Sequence, residues 1–282
     1  MMENIISVIV PTYNAEKTIE ETIKSIVGEN IEIIIVIDGS TDKTLKICKK
    51  MQKEKGNIKI IEQENKGPFE ARLTGINHAE GKYIMFIDSD DKYTENTIKR
   101  INEIIKKYNE PDLIRFRYER IPDGIEQARY CEENERYIIK ENFQKDVYPR
   151  FLKSYMLNAM WSNCIKKDIL KKLNIQTSSV KYGEDLLMNL EIFTSIDNVV
   201  FINDVLYKYY RQEDSLTSTK SIEKLFKNLE SAIEVYSTLN VYLKRWNMDT
   251  EENIKMVNDI VKKESVYVIN IINLFLNNEQ NN

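Results

Sequence analysis

Gly81-Lys82-Tyr83-Ile84-Met85-Phe86-Ile87-Asp88-Ser89-Asp90-Asp91-Lys92 is the stretch that decides how the chain is read. Tyr83 to Ile87 is apolar without alternation, the pattern of a short strand buried on both faces inside a parallel sheet. It ends on three carboxylates. Like charges this close repel unless a cation neutralises them, and ligands bind at the carboxyl ends of strands in open α/β sheets. The plainer reading is a solvated acidic turn that caps a helix starting near Thr94. The position directly behind a buried strand favours the ligand site.

The same grammar extends outward from this strand. Ile5 to Val10 is another apolar run, stopped by Pro11. Ile19, Ile23, Ile26 and Val27 follow at helical spacing, and Glu32 to Ile37 is a second buried strand. A helix from Asp42 turns Leu45, Cys48 and Met51 inward. Ile58–Ile61 is a third strand. Pro68–Ala79 is a helix with proline in its first turn, where the missing N–H costs nothing. Beyond the acids come a helix over Thr94–Tyr108 and a strand over Leu113–Tyr118. Strand–helix alternation with short connections means a mainly parallel sheet flanked by helices.

The pattern loosens after Pro122 into a mixed-charge loop up to about Arg136. A helix is expected over Asn142–Met156, short strands at Ser162–Lys166, Val199–Ile202 and Leu206–Tyr210, and a helix over Glu184–Ile196. From Ile222 to about Asn277 two long helices are expected, broken near Asn247–Thr250. The polar end, Asn277–Asn282, reads as a frayed tail. Met256, Val257, Ile260, Val261, Val268, Ile271, Ile272 and Phe275 form an apolar face that needs a cover. The rest of the domain, a second copy in a homodimer, or peripheral contact with a membrane would each supply one.

Composition narrows the function classes. A net charge of −4 and pI near 5.5 argue against a general nucleic-acid binder. The longest purely aliphatic run, Ile33–Ile37, is far short of the ~20 residues of a membrane span, and no signal peptide is expected. Three widely spaced cysteines and one histidine offer neither a disulfide framework nor a zinc site. Free thiols fit a cytoplasmic protein. A metal would rest mainly on carboxylates, which favours Mg²⁺ or Mn²⁺.

Polar groups recur at other strand ends. Thr12-Tyr13-Asn14 follows the first strand and Asp38-Gly39-Ser40-Thr41-Asp42 the second. Asp42 also suits a helix cap, whereas Asp38 sits on the strand end itself, placed to accept hydrogen bonds from a base or sugar. Gly183-Glu184-Asp185 opens a later helix, where acids also compensate the helix dipole. Trp161 is either a core residue or a platform for a sugar ring.

Val8-Ile9-Val10-Pro11-Thr12-Tyr13-Asn14, Asp38-Gly39-Ser40-Thr41-Asp42, Asn65-Lys66-Gly67, Ala71-Arg72 and Gly81 to Asp91 together closely resemble the family 2 glycosyltransferases. Order and spacing agree to about residue 100. Trp161, Gly183-Glu184-Asp185 and Tyr210-Arg211 extend the likeness to about residue 217. The resemblance implies a GT-A type, Rossmann-like α/β domain over 1–217 with a mixed, mainly parallel sheet. Its nucleotide-sugar half would be 1–120 and its acceptor half 121–217, with a helical extension over 218–282. It further implies an inverting, metal-dependent transferase using a nucleotide-sugar donor, by default a UDP-sugar. Pro11, Tyr13 and Asp38 would hold the base, with Thr12, Asn14, Lys66 and Ser89 also lining the donor site. Asp88 would lie near the ribose or metal, and Asp90 would bind Mn²⁺ or Mg²⁺ on the diphosphate. Arg72 and Arg211 would contact the diphosphate or order its loop. Asp185 would be the general base, with Asp91 and Glu184 as alternatives, and Trp161 and Glu184 would face the acceptor.

The chain departs from the family pattern at Ile37 and Leu73, where asparagine is frequent. Its single His78 lies in an early helix and reads as structural, so a late metal- or phosphate-contacting histidine is absent or replaced by Arg211. A glycan, a lipid-linked oligosaccharide or a protein would be the acceptor, and a cytoplasmic enzyme at the inner membrane face fits. Two other readings compete. A nucleotidyltransferase would want a Gly-rich basic loop after the first strand, and an aspartyl phosphatase a Thr or Val where Lys92 stands. An inactive nucleotide-sugar-binding scaffold would not need acids at all three positions.

Overall fold

The computed structural model describes residues 6–153, 157–173, 183–211 and 222–280. The expected contribution of Ile5 and the expected boundary at 217/218 lie outside them. The chain divides into two units: Met1–Lys140, Met160–Leu173 and Ser195–Arg211, and Glu141–Ala159, Asn174–Thr194 and Gln212–Asn282.

The first unit is built on one mixed sheet. Its strands are β1 (Ile6–Thr12), β2 (Ile31–Asp38), β3 (Ile58–Gln63), β4 (Tyr83–Phe86), β5 (Lys92–Tyr93), β6 (Leu113–Ile121), β7 (Ile125–Glu126), β8 (Glu135–Ile139), β9 (Asn163–Lys166) and β10 (Asn198–Tyr210). The order is β3-β2-β1-β4-β9-β6-β10-β5, with β7 on β6 and β8 on β10. β1, β2 and β4 are buried along their whole lengths, as their mostly apolar runs require. β1 pairs parallel with β2 on one side and with β4 on the other. The chain thus runs outward from β1 to β3 and then returns to β1's other edge, which leaves a crevice at the carboxyl ends of β1 and β4. β9 is antiparallel to both β4 and β6, and β10 is parallel to β6. The ends of β6 and β10 therefore lie on the same sheet edge as those of β1, β2 and β4.

Helices α1 (Ile19–Ser25), α2 (Thr44–Lys55), α3 (Pro68–His78), α4 (Thr97–Lys107) and α7 (Lys167–Lys172) belong to the same unit. Pro68 opens α3 as its position predicts. Gly75 allows α3 to approach β1 closely, since a Cβ there would lie 2.4 Å from Ile9 Cγ2. His78 is exposed and its Nδ1 lies 2.8 Å from the Thr74 carbonyl, so it stays within its own helix. Cys48 and Cys164 are buried and Cys131 is half-buried; none is in a disulfide. Burial pushes the Cys48 thiol up to about 12.

The two strands expected at Val199–Ile202 and Leu206–Tyr210 are one strand. The polar pair Asn203-Asp204 between them is taken up by shifts of register against β6 rather than by a break. Asn203 Oδ1 accepts from the Tyr130 backbone N–H, and Asp204 accepts from Arg100 of α4. The loop expected up to Arg136 gives way to β8 at Glu135, which pairs antiparallel with β10.

The second unit contains α5 (Phe143–Asp146), α6 (Pro149–Lys153), α8 (Glu184–Ser195), α9 (Ile222–Arg245) and α10 (Glu251–Gln280). The single helix expected over Asn142–Met156 is split. Pro149 starts α6 and disfavours helical backbone at the preceding Tyr148. Residues 154–156 lie outside the described ones. Trp246 closes α9 and stacks on Tyr148, with ring centroids 4.1 Å apart. Its Nε1 donates to Thr194 Oγ1 at 2.9 Å, while Glu191 accepts from Tyr242 and Arg245. The break between α9 and α10 falls where expected, but α10 continues to Gln280 instead of fraying at Asn277. Val257 is fully buried, whereas Ile254, Val266 and Ile269 are exposed. The side chains of Val268, Ile271, Ile272 and Phe275 lie outside the described ones. Among the described residues no helix is long and apolar enough to cross a membrane.

Candidate active site

The acidic loop follows β4 directly. Ile87 N–H still donates to Ile9 O, so the parallel ladder runs on to the residue before Asp88. The three acids then take different environments. Asp88 accepts from Arg72 Nη2 at 2.9 Å; the arginine is almost fully buried in α3. Asp91 is 1% exposed and accepts from the Tyr207 hydroxyl at 2.6 Å and the Tyr210 backbone N–H at 2.7 Å. Asp90 is half-buried and bonds to no other described side chain. Burial and then the charge of Asp88 raise its carboxyl to about 6. Burial and Asp88 push Asp91 upward as well, against its bond from Tyr207. Asp91 is expected from the sequence as an alternative base, but the structure commits both of its oxygens to β10 (Asn198–Tyr210).

The end of β2 serves a neighbouring loop. Asp38 is 3% exposed, and its carboxylate accepts from Gln63 Nε2 at 2.8 Å, Lys66 N–H at 2.9 Å and Gly67 N–H at 2.8 Å. A carboxylate offers about four acceptor sites, so one is left for a ligand. The sequence points Asp38 at a base or sugar. Its three bonds also shape the turn in which Gly67, at φ 92°, precedes α3. The Lys66 side chain is exposed on that turn.

At the end of β1, Pro11 and Thr12 are buried while Tyr13 is 52% exposed. Asn14 takes a left-handed backbone (φ 46°) and its Oδ1 accepts from Thr41 N–H at 2.8 Å, tying this turn to the one after β2. Asp42 accepts from the Thr44 hydroxyl and N–H and from Glu16 N–H, which is the expected capping role. Ser89 is half-buried beside Asp90, and Arg211 is exposed just past β10, its N–H bonded to Ile121 O. The first unit thus brings Pro11, Thr12, Tyr13, Asn14, Asp38, Lys66, Arg72, Asp88, Ser89, Asp90 and Arg211 to one edge of its sheet.

Trp161, which the sequence leaves as a core residue or a sugar platform, is 8% exposed, stacked on Tyr207 with centroids 4.2 Å apart and met edge-on by Tyr118 at 4.7 Å. It packs under the site. Glu184 and Asp185 lie in the first turn of α8, in the second unit. Gly183 ahead of them has φ 88°, and a Cβ there would come within 3.1 Å of Val235.

Sequence reasoning missed Thr22 and Tyr207, and gave Tyr210 a place in the motif but no role. The Thr22 hydroxyl lies 3.0 Å from Ser89 O and 2.9 Å from Asp91 O. Only the alternation in β10, which puts Tyr207 and Tyr209 on one face, could have singled out Tyr207.

An α/β sheet of this order, with acids at the switch point, defines a GT-A type fold. Residues 7–165, more than half of the chain, match the family model for Glycosyl transferase family 2, and the chain belongs to that family. It is 29% identical over 231 residues to glycosyltransferase GlyA of Streptococcus pneumoniae, matching 77% of this chain but about a third (32%) of GlyA. It is 27% identical over 215 residues to poly(ribitol-phosphate) beta-N-acetylglucosaminyltransferase TarS of Staphylococcus aureus, covering 72% of this chain and 35% of TarS. The structure of TarS residues 1–349 with UDP-GlcNAc superposes with a TM-score of 0.69 at 22% identity, over 92% of this chain and 71% of that one. A mannosyltransferase of Pyrobaculum calidifontis with GDP-Man and Mn²⁺ gives 0.61 at 14% identity, over 94% and 74%.

Proposed function

We propose that the protein is an inverting glycosyltransferase that moves a sugar from a UDP-sugar to a hydroxyl of a cell-surface glycan. The observation that carries this reading is the division of labour in the acidic loop. Asp88 and Asp91 are engaged by the protein, and Asp90 is left with a burdened charge that no described basic side chain pairs. The TarS complex with UDP-GlcNAc supports a uridine donor, and the name of TarS supports a polyol-phosphate or related glycan acceptor.

The donor set suits a divalent cation. Oxygen-only ligands select Mg²⁺ or Mn²⁺, and a carboxyl raised to about 6 by burial and a like charge, with no described side-chain partner, gains from one. Among the described residues no three acid, His or Cys side chains form a ready-made cage. Such ions commonly take one or two carboxylates and complete their shell with substrate phosphates. Asp90 would hold the ion, with Asp88 beside it. When bound, it would act as a Lewis acid on the departing diphosphate.

The chain's own groups do the rest. Tyr13 and the remaining acceptor site of Asp38 would face the base, and Lys66 and Arg211 would approach the diphosphate. Arg72 acts through Asp88, which it holds in place. Asp185 would take the proton from the acceptor hydroxyl, and one base with attack on the far face of the anomeric carbon gives inversion. The test is a melting panel with UDP, GDP, CDP and TDP, each with and without Mn²⁺, on wild type, Asp90→Asn and Asp185→Asn. A ligand at 100 times its Kd adds about 2.7 kcal/mol, a readable shift. The expected result is a Mn²⁺-dependent shift with UDP, lost in Asp90→Asn. Asp185→Asn should keep the shift and lose transfer. No shift with any nucleotide, or full turnover by Asp185→Asn, would overturn the respective assignment.

A further inference from the structure

The loop from Ile87 to Asp91 makes one internal backbone bond, Asp91 N–H to Asp88 O at 3.1 Å. Its shape is otherwise imposed from outside: Ile9 O holds Ile87, Arg72 holds the Asp88 carboxylate, the Tyr210 N–H holds Asp91, and two buried hydroxyls span the loop. The Tyr207 hydroxyl donates its single proton to Asp91 Oδ2 at 2.6 Å and accepts from Asp88 N–H at 3.2 Å. One oxygen therefore spans the loop from its first acid to its last, bracketing Ser89 and Asp90. Its ring cannot swing away: it is fully buried, stacked on Trp161 and met edge-on by Tyr93, centroids 5.8 Å apart. From α1, the buried Thr22 hydroxyl shares its proton between Ser89 O and Asp91 O. The two hydroxyls hold the residues on either side of Asp90 and leave its carboxylate untouched.

We propose that Tyr207 and Thr22 are positioning residues that preset the acidic loop, so that Asp90 meets an incoming divalent cation and nucleotide diphosphate without rearranging its neighbours. This rests on the reading of Asp90 as the cation-holding acid. Preorganisation of this kind acts on affinity, because a loop already in its bound shape loses less freedom when the ligand arrives. Neither residue touches the donor. Both act through the loop backbone and Asp91.

Tyr207→Phe removes one oxygen and keeps the ring stack. Mn²⁺ binding in the presence of UDP, followed by the loss of the free-ion electron paramagnetic resonance signal, should weaken at least tenfold. Thr22→Val should weaken it in the same direction, and Thr22→Ser, which restores the hydroxyl, should recover wild-type binding. Melting temperatures in EDTA separate this from a role in stability alone. Variants that melt earlier yet bind Mn²⁺ and UDP as tightly as wild type would overturn the inference while the assignment of Asp90 stands. Wild-type protein that binds no Mn²⁺ with UDP would overturn both. Should Tyr207→Phe fail to fold, the Thr22→Val and Thr22→Ser pair decides alone: equal binding by the two refutes the proposal.

Discussion

Replacing Asp38 by Asn should loosen the turn before α3 before it alters any ligand contact. Oδ2 accepts from Gly67 N–H at 2.8 Å, and Oδ1 from Gln63 Nε2 at 2.8 Å and Lys66 N–H at 2.9 Å. An amide presents one oxygen and one NH₂, so either Gly67 or the Gln63–Lys66 pair loses its acceptor and faces a donor instead. A hydrogen bond to a charged group contributes about 1.5–3 kcal/mol, and the surviving bonds fall to the roughly 0.5–1.5 kcal/mol of neutral ones. Lys66 is exposed, so water recovers part of this at its amide. The net local cost is about 2–3 kcal/mol, or roughly 30- to 150-fold in an opening equilibrium. Amide hydrogen exchange reads this residue by residue. Protection at Lys66 and Gly67 should fall by that factor in ligand-free protein, with β1 and β4 unchanged. If Asp38 served only a base, the variant would exchange like wild type and lose only nucleotide binding. That outcome would refute the loop-holding role.

Asp90→Asn should stabilise the ligand-free protein at pH 8. The folded carboxyl titrates at about 6 against an ordinary 3.8, so ligand-free stability falls as pH rises through that window. Discounted for solvent at the loop, the gain is about 1–2 kcal/mol at pH 8, vanishing near pH 4, by thermal melts. Glu135 works in the opposite sense. Burial opposes its ionisation, but Lys107, Arg100 and Tyr108 outweigh that and hold it down at about 2. Its contribution is present above pH 4.5 and lost as pH falls toward 2, so Glu135→Gln should melt earlier at pH 7 and converge on wild type at pH 2–3. Gly75→Ala pushes a methyl to 2.4 Å from Ile9 Cγ2 and should cost about 1–3 kcal/mol in a denaturant titration.

The parts of the fold that could be read ahead were those with a local cause. β1, β2 and β4 are mostly apolar because both of their faces are covered, and helices α9 and α10 repeat at 3.6 residues. The carboxylates of the acidic loop stood out because acids behind a buried strand need a reason. What escaped depended on distant partners. Nothing in Glu135–Ile139 announces that β8 will pair with β10, and Arg136 and Tyr137 break its apolar run. Asn203 and Asp204 resemble a turn until Tyr130 and Arg100 are seen bonding to them. Trp161 carries no mark that tells a ring platform from a core residue, and its stack on Tyr207 joins residues 46 positions apart. At Asp38 the sequence marks the strand end but not the loop it holds, because its bonds to Lys66 and Gly67 span almost thirty residues.

The three cysteines offer a chemical handle on local opening. Cys48 lies on the inner face of α2, its thiol pushed up to about 12, and Cys164 sits in the sheet centre on β9. Only Cys131 is within reach of reagent in the folded chain. A maleimide probe should therefore attach at one place, and the slower modification of the other two would time the opening of a helix and of the sheet separately.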